Sequence, residues 1–408
     1  MDRKPFFKKP ELLAPAGDKE RAKTAILFGA DAVYLGGKKY SLRARASNFS
    51  MSDIEETCAF AKAHGARVHV TVNEIPHQED FTGLPDYLCA LEAAGVTAII
   101  AASPAIMSLA HQYAPKLALH CSTQFSITNI EAAKFMVEHA FVDRIVLARE
   151  CTLHDVKSIV RQCPVEIEAF IHGGMCVNYS GRCTLSNRMT LRDANRGGCA
   201  QSCRWAYHLF EKERALSKEH SAFTMGSKDL SGGMIIGALM QANVRSFKIE
   251  GRMKTEFYVA SIVSAYRHLI DELYAHGGQL SPEKLQYHLC EIALCTNRET
   301  WSGFYQDTPE EGIIAHDMSN ADVNHAFVGK VKAYDEKKKR IDVETRNPFV
   351  VGDMIEVLEP GKKNRLFALT EMQDKEGHQL SASRRPMATV SLSVPFAIGI
   401  GSLLRKRG

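Results

Sequence analysis

The sequence predicts an α/β fold: a (β/α)8 TIM-like barrel followed by a small C-terminal antiparallel β-barrel domain. Three observations carry this. Eight short β-branched runs recur along residues 1–321, amphipathic segments separate them, and from about residue 322 the pattern changes to apolar–polar alternation with Gly and Asp turns.

The runs follow in order. ELLAPA (11–16) stops at a proline and small residues, and DAVYLGG (31–37) stops at two glycines. ARVHVTVN (66–73) closes on Asn73, VTAIIAAS (96–103) on Ser103, and LALHCSTQ (117–124) on Gln124. DRIVLARE (143–150) closes on Arg149 and Glu150, VEIEAFIHG (165–173) carries Glu168 and His172, and VRSFKIEGR (244–252) carries Lys248, Glu250 and Arg252. Between them, segments such as KERAKTAILFGA and EAAKFMVEHAF repeat apolar residues at three-to-four spacing. A doubly wound sheet is the competing architecture. In a parallel barrel, however, the carboxyl ends of the strands share one mouth, so the polar residues that close the runs would converge on one site.

Composition sets the class. The 408 residues are 45% hydrophobic and 24% charged, which is globular material rather than a disordered or fibrous chain. No window approaches eighteen uninterrupted apolar residues, and the basic N-terminal stretch meets a proline before any signal-like apolar core. The expectation is a cytoplasmic protein with no membrane partner. From residue 322 onward there are 16 Lys plus Arg against 11 Asp plus Glu, so the chain's net charge of +4 sits in the tail. A small basic β domain suits a nucleic-acid handle, though solvated turn lysines give the same pattern.

Eleven cysteines in a reducing compartment point away from disulfides. Seven are dispersed, but Cys176, Cys183, Cys199 and Cys203 fall within 28 residues, in an insertion (172–207) between the seventh and eighth runs. The Cys199/Cys203 pair suits zinc and the Cys176/Cys183 pair does not. An iron–sulfur cluster needs four thiolates and tolerates irregular, glycine-rich loops. The spacing leaves cluster, zinc and unligated thiols open. No G-x-S-x-G elbow, H-E-x-x-H helix or P-loop is present, so serine or zinc hydrolysis by the usual routes has no motif behind it.

Several long motifs resemble the collagenase-like peptidase family U32. They are EAFIHGGMCVNYSGRCTLS (168–186), the segment from PELLAPAGDKERAKTAILFGADAVYLGG to SNF near the start, STQFSITN (122–129), GGCAQSCRWAY, and SKDL followed by SFKIEGRMK (227–254). The resemblance spans essentially the whole chain and is strongest to the family's tRNA-modifying branch. It implies oxygen-independent hydroxylation of the tRNA wobble uridine to 5-hydroxyuridine, a [4Fe–4S] cluster on Cys176, Cys183, Cys199 and Cys203, and prephenate as co-substrate. It also implies tRNA, and a related protein subunit, as partners. Where some relatives carry a cysteine after SKDL, this chain has Ser231. Beside that reading, Glu168, His172 and Glu250 are the proton-transfer candidates. Arg43, Arg45, Asn73, Gln124, Lys248 and Arg252 are the candidates for holding carboxylate, phosphate or substrate. A collagenase-like peptidase, an rRNA hydroxylation protein and a non-catalytic RNA-binding module are the alternatives.

Overall fold

Each of the eight runs becomes a strand: β1 Glu11–Pro15, β2 Ala32–Gly36, β3 Arg67–Val72, β4 Ala98–Ala101, β5 Ala118–Cys121, β6 Arg144–Val146, β7 Glu166–Gly173 and β8 Ser246–Ile249. The computed structural model describes residues 7–42, 48–216, 222–296, 298–306 and 326–407. Parallel ladders join β1 through β7 in chain order, and β8 pairs with both β1 and β7, which closes an eight-stranded parallel barrel. The doubly wound alternative is thereby set aside. The strands are short and buried on both faces, as a parallel sheet covered by helices requires.

Helices α1 Lys19–Leu27, α2 Met51–Ala63, α3 Leu84–Ala93, α4 Pro104–Tyr113, α5 Ile130–Ala140 and α6 Leu153–Gln162 alternate with β1–β7. Asp18, Ser50, Asn129 and Thr152 each accept a main-chain N–H at a helix start, contributing about 1 kcal/mol apiece. After β7 the order breaks. An insertion carries the short helix α7 (Leu185–Thr190) and a strand, Asp229–Ser231, that pairs antiparallel with the end of β7. Then α8 (Ile236–Gln241) leads into β8, and α9 (Glu256–Ala275) covers the barrel from Phe257 to Leu273 with a long apolar face. Among the described residues, no helix is long and apolar enough to cross a membrane.

The barrel interior holds a charged belt. Arg144 donates to Glu11 at 2.6 Å and to Glu168 at 3.2 Å. Ser246 bridges the same two carboxylates at 3.0 and 2.9 Å, and Arg67 pairs with Glu11. His69 and His120 meet edge to face in the same interior, with centroids 4.8 Å apart. Above the belt, toward the carboxyl ends, Leu13, Ala32, Tyr34 and Ile100 form a small apolar cluster.

The chain divides into two compact units, Met1–Ala321 and Asp322–Gly408. The second is a seven-stranded antiparallel sheet, with Phe327–Asp335 central between Leu403–Arg407 and Arg340–Thr345. It curls into a half-barrel over a core that includes Val331, Val343, Ile355 and Leu404. Much of its positive charge is neutralised locally: Arg405 meets Glu356 at 2.5 Å, Lys362 meets Glu359 at 2.8 Å, and Arg340 meets Glu371 at 3.2 Å. The Lys337–Lys339 turn is exposed.

Candidate functional site

The carboxyl ends of the barrel strands surround a cavity of about 190 Å³. Its wall includes Asn73 after β3, Gln124 after β5, Arg149 after β6, and Lys248, Glu250 and Arg252 on and after β8. All four clustered cysteines line it as well. Residues scattered over some 180 positions thus meet because parallel strands end on one face.

The insertion is tied down strand by strand. Glu150 accepts hydrogen bonds from the main-chain N–H and hydroxyl of Ser180, at 3.0 and 2.8 Å, which fixes the loop from Cys176 to Cys183. Gly181, at φ +75°, lies flat against the Gln124 main chain, where a Cβ would collide. Arg196 anchors the next segment by donating to Asp80 at 2.6 Å and to the Ile75 carbonyl at 2.7 Å. Thr224 donates to the Cys203 carbonyl at 2.8 Å, and Arg204 donates to the Met175 carbonyl at 3.3 Å.

Four thiols on one wall form an all-sulfur donor set. No three of these sulfurs lie within 4.8 Å of one another, whereas a tetrahedral zinc with Zn–S bonds of about 2.3 Å draws its ligands to roughly 3.8 Å. The Asn178 side-chain amide donates to the Cys183 sulfur at 3.1 Å, a contact that favours a thiolate. Burial pushes the Cys203 thiol up, and the adjacent Arg204 guanidinium pulls it back down.

The polar wall has one preset pair. The Asn73 amide donates to Gln124 Oε1 at 2.8 Å, and Gln124 Nε2 is a buried donor with no hydrogen-bond partner. Arg252 is held against the wall by Ser41 at 3.0 Å, Thr71 at 3.3 Å and Asn48 at 2.9 Å. The Arg149 guanidinium stacks on Phe170 at 4.0 Å, and its side chain makes no hydrogen bond or ion pair among the described residues. Lys248 faces the rings of Tyr34 and Phe170, and burial draws its ammonium below the ordinary lysine range against the pull of Glu168.

Two of the proton-transfer candidates are elsewhere. Glu168 is fully buried, does not line the cavity, and donates nothing: its carboxylate accepts from Lys248 at 2.9 Å. Burial alone would raise its pKa, but Lys248 and Arg144 bring it down to about 2, so it stays ionised and supports Lys248 from behind. His172 is buried beside Tyr266 and Tyr258, with Nδ1 3.2 Å from the Tyr266 hydroxyl, and burial lowers it to about 3. It is a neutral packing residue away from the cavity wall. Glu250 does reach the mouth, where it accepts the Gly174 N–H at 3.2 Å. Arg43 and Arg45 lie outside the described residues.

Three of these thiols also face a second, larger cavity of about 470 Å³. Cys176, Cys199, Cys203, Arg149 and Glu250 belong to both walls, while Arg204, Asp229, Lys254 and Arg298 belong only to the outer one. None of these last four was singled out from the sequence. Burial draws Lys254 below the ordinary lysine range, Asp229 opposes this, and Arg298 adds to it.

Comparison with known proteins matches the description "Peptidase family U32" to residues 17–315 and "Peptidase family U32 C-terminal domain" to residues 323–405. The chain is 41% identical to a tRNA hydroxylation protein P1 of Bacillus subtilis (strain 168), over 98% of this chain and 95% of that protein. It is 42% identical to a 23S rRNA 5-hydroxycytidine C2501 synthase of Escherichia coli (strain K12), over 85% of this chain and 52% of that protein. A collagenase of Porphyromonas gingivalis (strain ATCC BAA-308 / W83) is 36% identical over 72% of this chain and 73% of its own length.

Proposed function

This chain belongs to peptidase family U32, and from that premise we propose that it modifies RNA: it hydroxylates the wobble uridine of tRNA to 5-hydroxyuridine without molecular oxygen. Support comes from the likeness to a tRNA hydroxylation protein along almost the full length of both chains, and from four cysteine thiols lining a polar cavity at a barrel mouth.

Cys176, Cys183, Cys199 and Cys203 would hold a [4Fe–4S] cluster, which the all-sulfur donor set on one cavity wall fits. When bound, such a cluster supplies one-electron chemistry at the cavity wall. The protein's own residues do the rest. A small dicarboxylate such as prephenate takes the inner cavity, where Arg149 offers a two-pronged donor face and Gln124 Nε2 a single buried one. Lys248 adds positive charge from below. Tyr34, Ile100 and Phe170 keep that end dry, which strengthens each of these contacts. Glu250, the carboxylate common to both cavity walls, is placed to take up a proton from a base presented there.

A thiol peptidase needs a histidine beside its cysteine. Among the described residues, no histidine lines either cavity.

Two measurements on one strain set test the reading. Anaerobic preparations should carry iron and sulfide in near-equal amounts that fall away in Cys199→Ala, and tRNA from a deletion strain lacking redundant relatives should lose 5-hydroxyuridine-derived nucleosides. Unchanged nucleosides would overturn the assignment, and zinc in place of iron would overturn the cluster.

A further inference from the structure

The outer cavity is larger than the inner one and carries more charged side chains. Three cations, Arg204, Lys254 and Arg298, surround the carboxylate of Asp229, and with Arg149 they outnumber the wall's two carboxylates, Asp229 and Glu250. Only Arg204 lies within hydrogen-bond reach of it, at 3.3 Å, while Arg298 stands at 3.7 Å and Lys254 at 3.9 Å. Neither the Lys254 ammonium nor the Arg298 guanidinium makes a hydrogen bond among the described residues, so their donors face the cavity unspent. Arg149 closes the side next to the thiols. The cavity therefore carries surplus positive charge and free donors directly against Cys176, Cys199 and Cys203. Its volume of about 470 Å³ lies within the usual range for ligand sites.

We propose that this outer cavity seats the phosphodiester backbone of the RNA substrate, with Lys254 and Arg298 each engaging a phosphate beside the nucleotide presented to the thiols. The inference rests on the RNA-modification reading and deepens it. Two ligands approach the thiols from two sides: the small carboxylate from inside the barrel and the polyanion from outside. Arg204 is a positioning residue here, because its bond to the Met175 carbonyl holds the loop that carries Cys176.

Phosphate contacts are read by salt. Each one neutralised contributes about 0.9 to the slope of log K against log salt on a duplex and about 0.7 on a single strand. The double variant Lys254→Gln/Arg298→Gln of the anaerobically prepared holoprotein should therefore lose about 1.4 to 1.8 from the slope measured with unmodified tRNA. It should bind that tRNA roughly tenfold more weakly at low salt. Its iron content and its affinity for prephenate should stay at the wild-type values. The charge-preserving pair Lys254→Arg/Arg298→Lys should recover most of the slope, which separates lost charge from lost fold. An unchanged slope in the glutamine variant, in a strain whose wild type makes the modified nucleoside, overturns the seat and leaves the RNA reading standing. Weakened prephenate binding with intact tRNA binding overturns it too, since the groove would then serve the small anion. Absence of the nucleoside in the wild type overturns the reading beneath it.

Discussion

Lys248 donates to Glu168 across 2.9 Å inside a closed barrel, and only the lysine reaches the cavity above. The carboxylate is therefore a support, and removing its charge strands Lys248 in the interior, while Arg144 keeps its pairs with Glu11 and Glu166. Glu168→Gln is expected to lower unfolding stability by about 3 to 5 kcal/mol, as breaking a buried ion pair from one side does. Urea titration of the purified variant measures this. A loss below about 1 kcal/mol would mean the belt is redundant at this position.

Arg149 combines a stacked guanidinium with unspent donors. Arg149→Lys keeps a charge but loses the planar fork and the stacking on Phe170. The KM for the small carboxylate should rise by roughly tenfold in Arg149→Lys and more in Arg149→Gln, with kcat moving less, because the contact is made in the ground state as well as in the transition state. A fall in kcat at constant KM would instead place Arg149 on the reacting atoms.

Acid should weaken the fold in two stages. Burial holds His69 at about 4 and His120 well below its ordinary value, so both are neutral in the folded chain. In the unfolded chain they take up protons near pH 6.5. From there down to about pH 4 the unfolded state binds protons that the folded state does not, and stability falls as pH falls. Glu168 adds a second loss. Its contribution is whole above its unfolded value of 4.5 and disappears as pH drops toward about 2. Melting temperatures should thus decline from pH 7 to pH 5 and more steeply below 4.5, with the first decline shallower in a His69→Gln variant. Equal melting temperatures at pH 7 and pH 5 would contradict the buried neutral histidines.

Gly181 presses against the Gln124 main chain at φ +75°. Gly181→Ala must shift the loop that carries Cys183. A cost above about 1 kcal/mol is expected, together with reduced iron and sulfide content in anaerobic preparations. Full metal content in this variant would show that the loop can reseat without losing its ligands.

The barrel was legible because each strand is a compact β-branched run, from Glu11–Pro15 to Ser246–Ile249, and most of the runs from the third onward close on a polar residue at the carboxyl-end mouth. The cysteines were legible by their density and Asn73, Gln124, Lys248, Glu250 and Arg252 by their place at strand ends; all of these line the inner cavity. Depth was not legible. Glu168 and Lys248 are both polar strand residues on neighbouring strands, yet one lies a layer below the other, and no pattern in the runs distinguishes them. His172 ends up packed against α9 because Tyr258 and Tyr266, nearly a hundred positions later, come to rest on it. The outer cavity was invisible for a similar reason. Arg204, Asp229 and Lys254 lie in quoted motifs but at no strand end that a barrel reading would select, Arg298 lies in none, and the four meet through the insertion and the strand Asp229–Ser231. The second domain's charge also misleads when counted along the chain, since Glu356, Glu359 and Glu371 hold several of its arginines and lysines.

All four thiols sit on one crossover, while the ladder from β7 to β8 closes the barrel without passing through them. Replacing or blocking those cysteines is therefore expected to leave the closed ladder and the ionic belt in place. Scaffold and thiol-bearing insert are separable parts, so the insert is free to change while the barrel that presents it stays fixed.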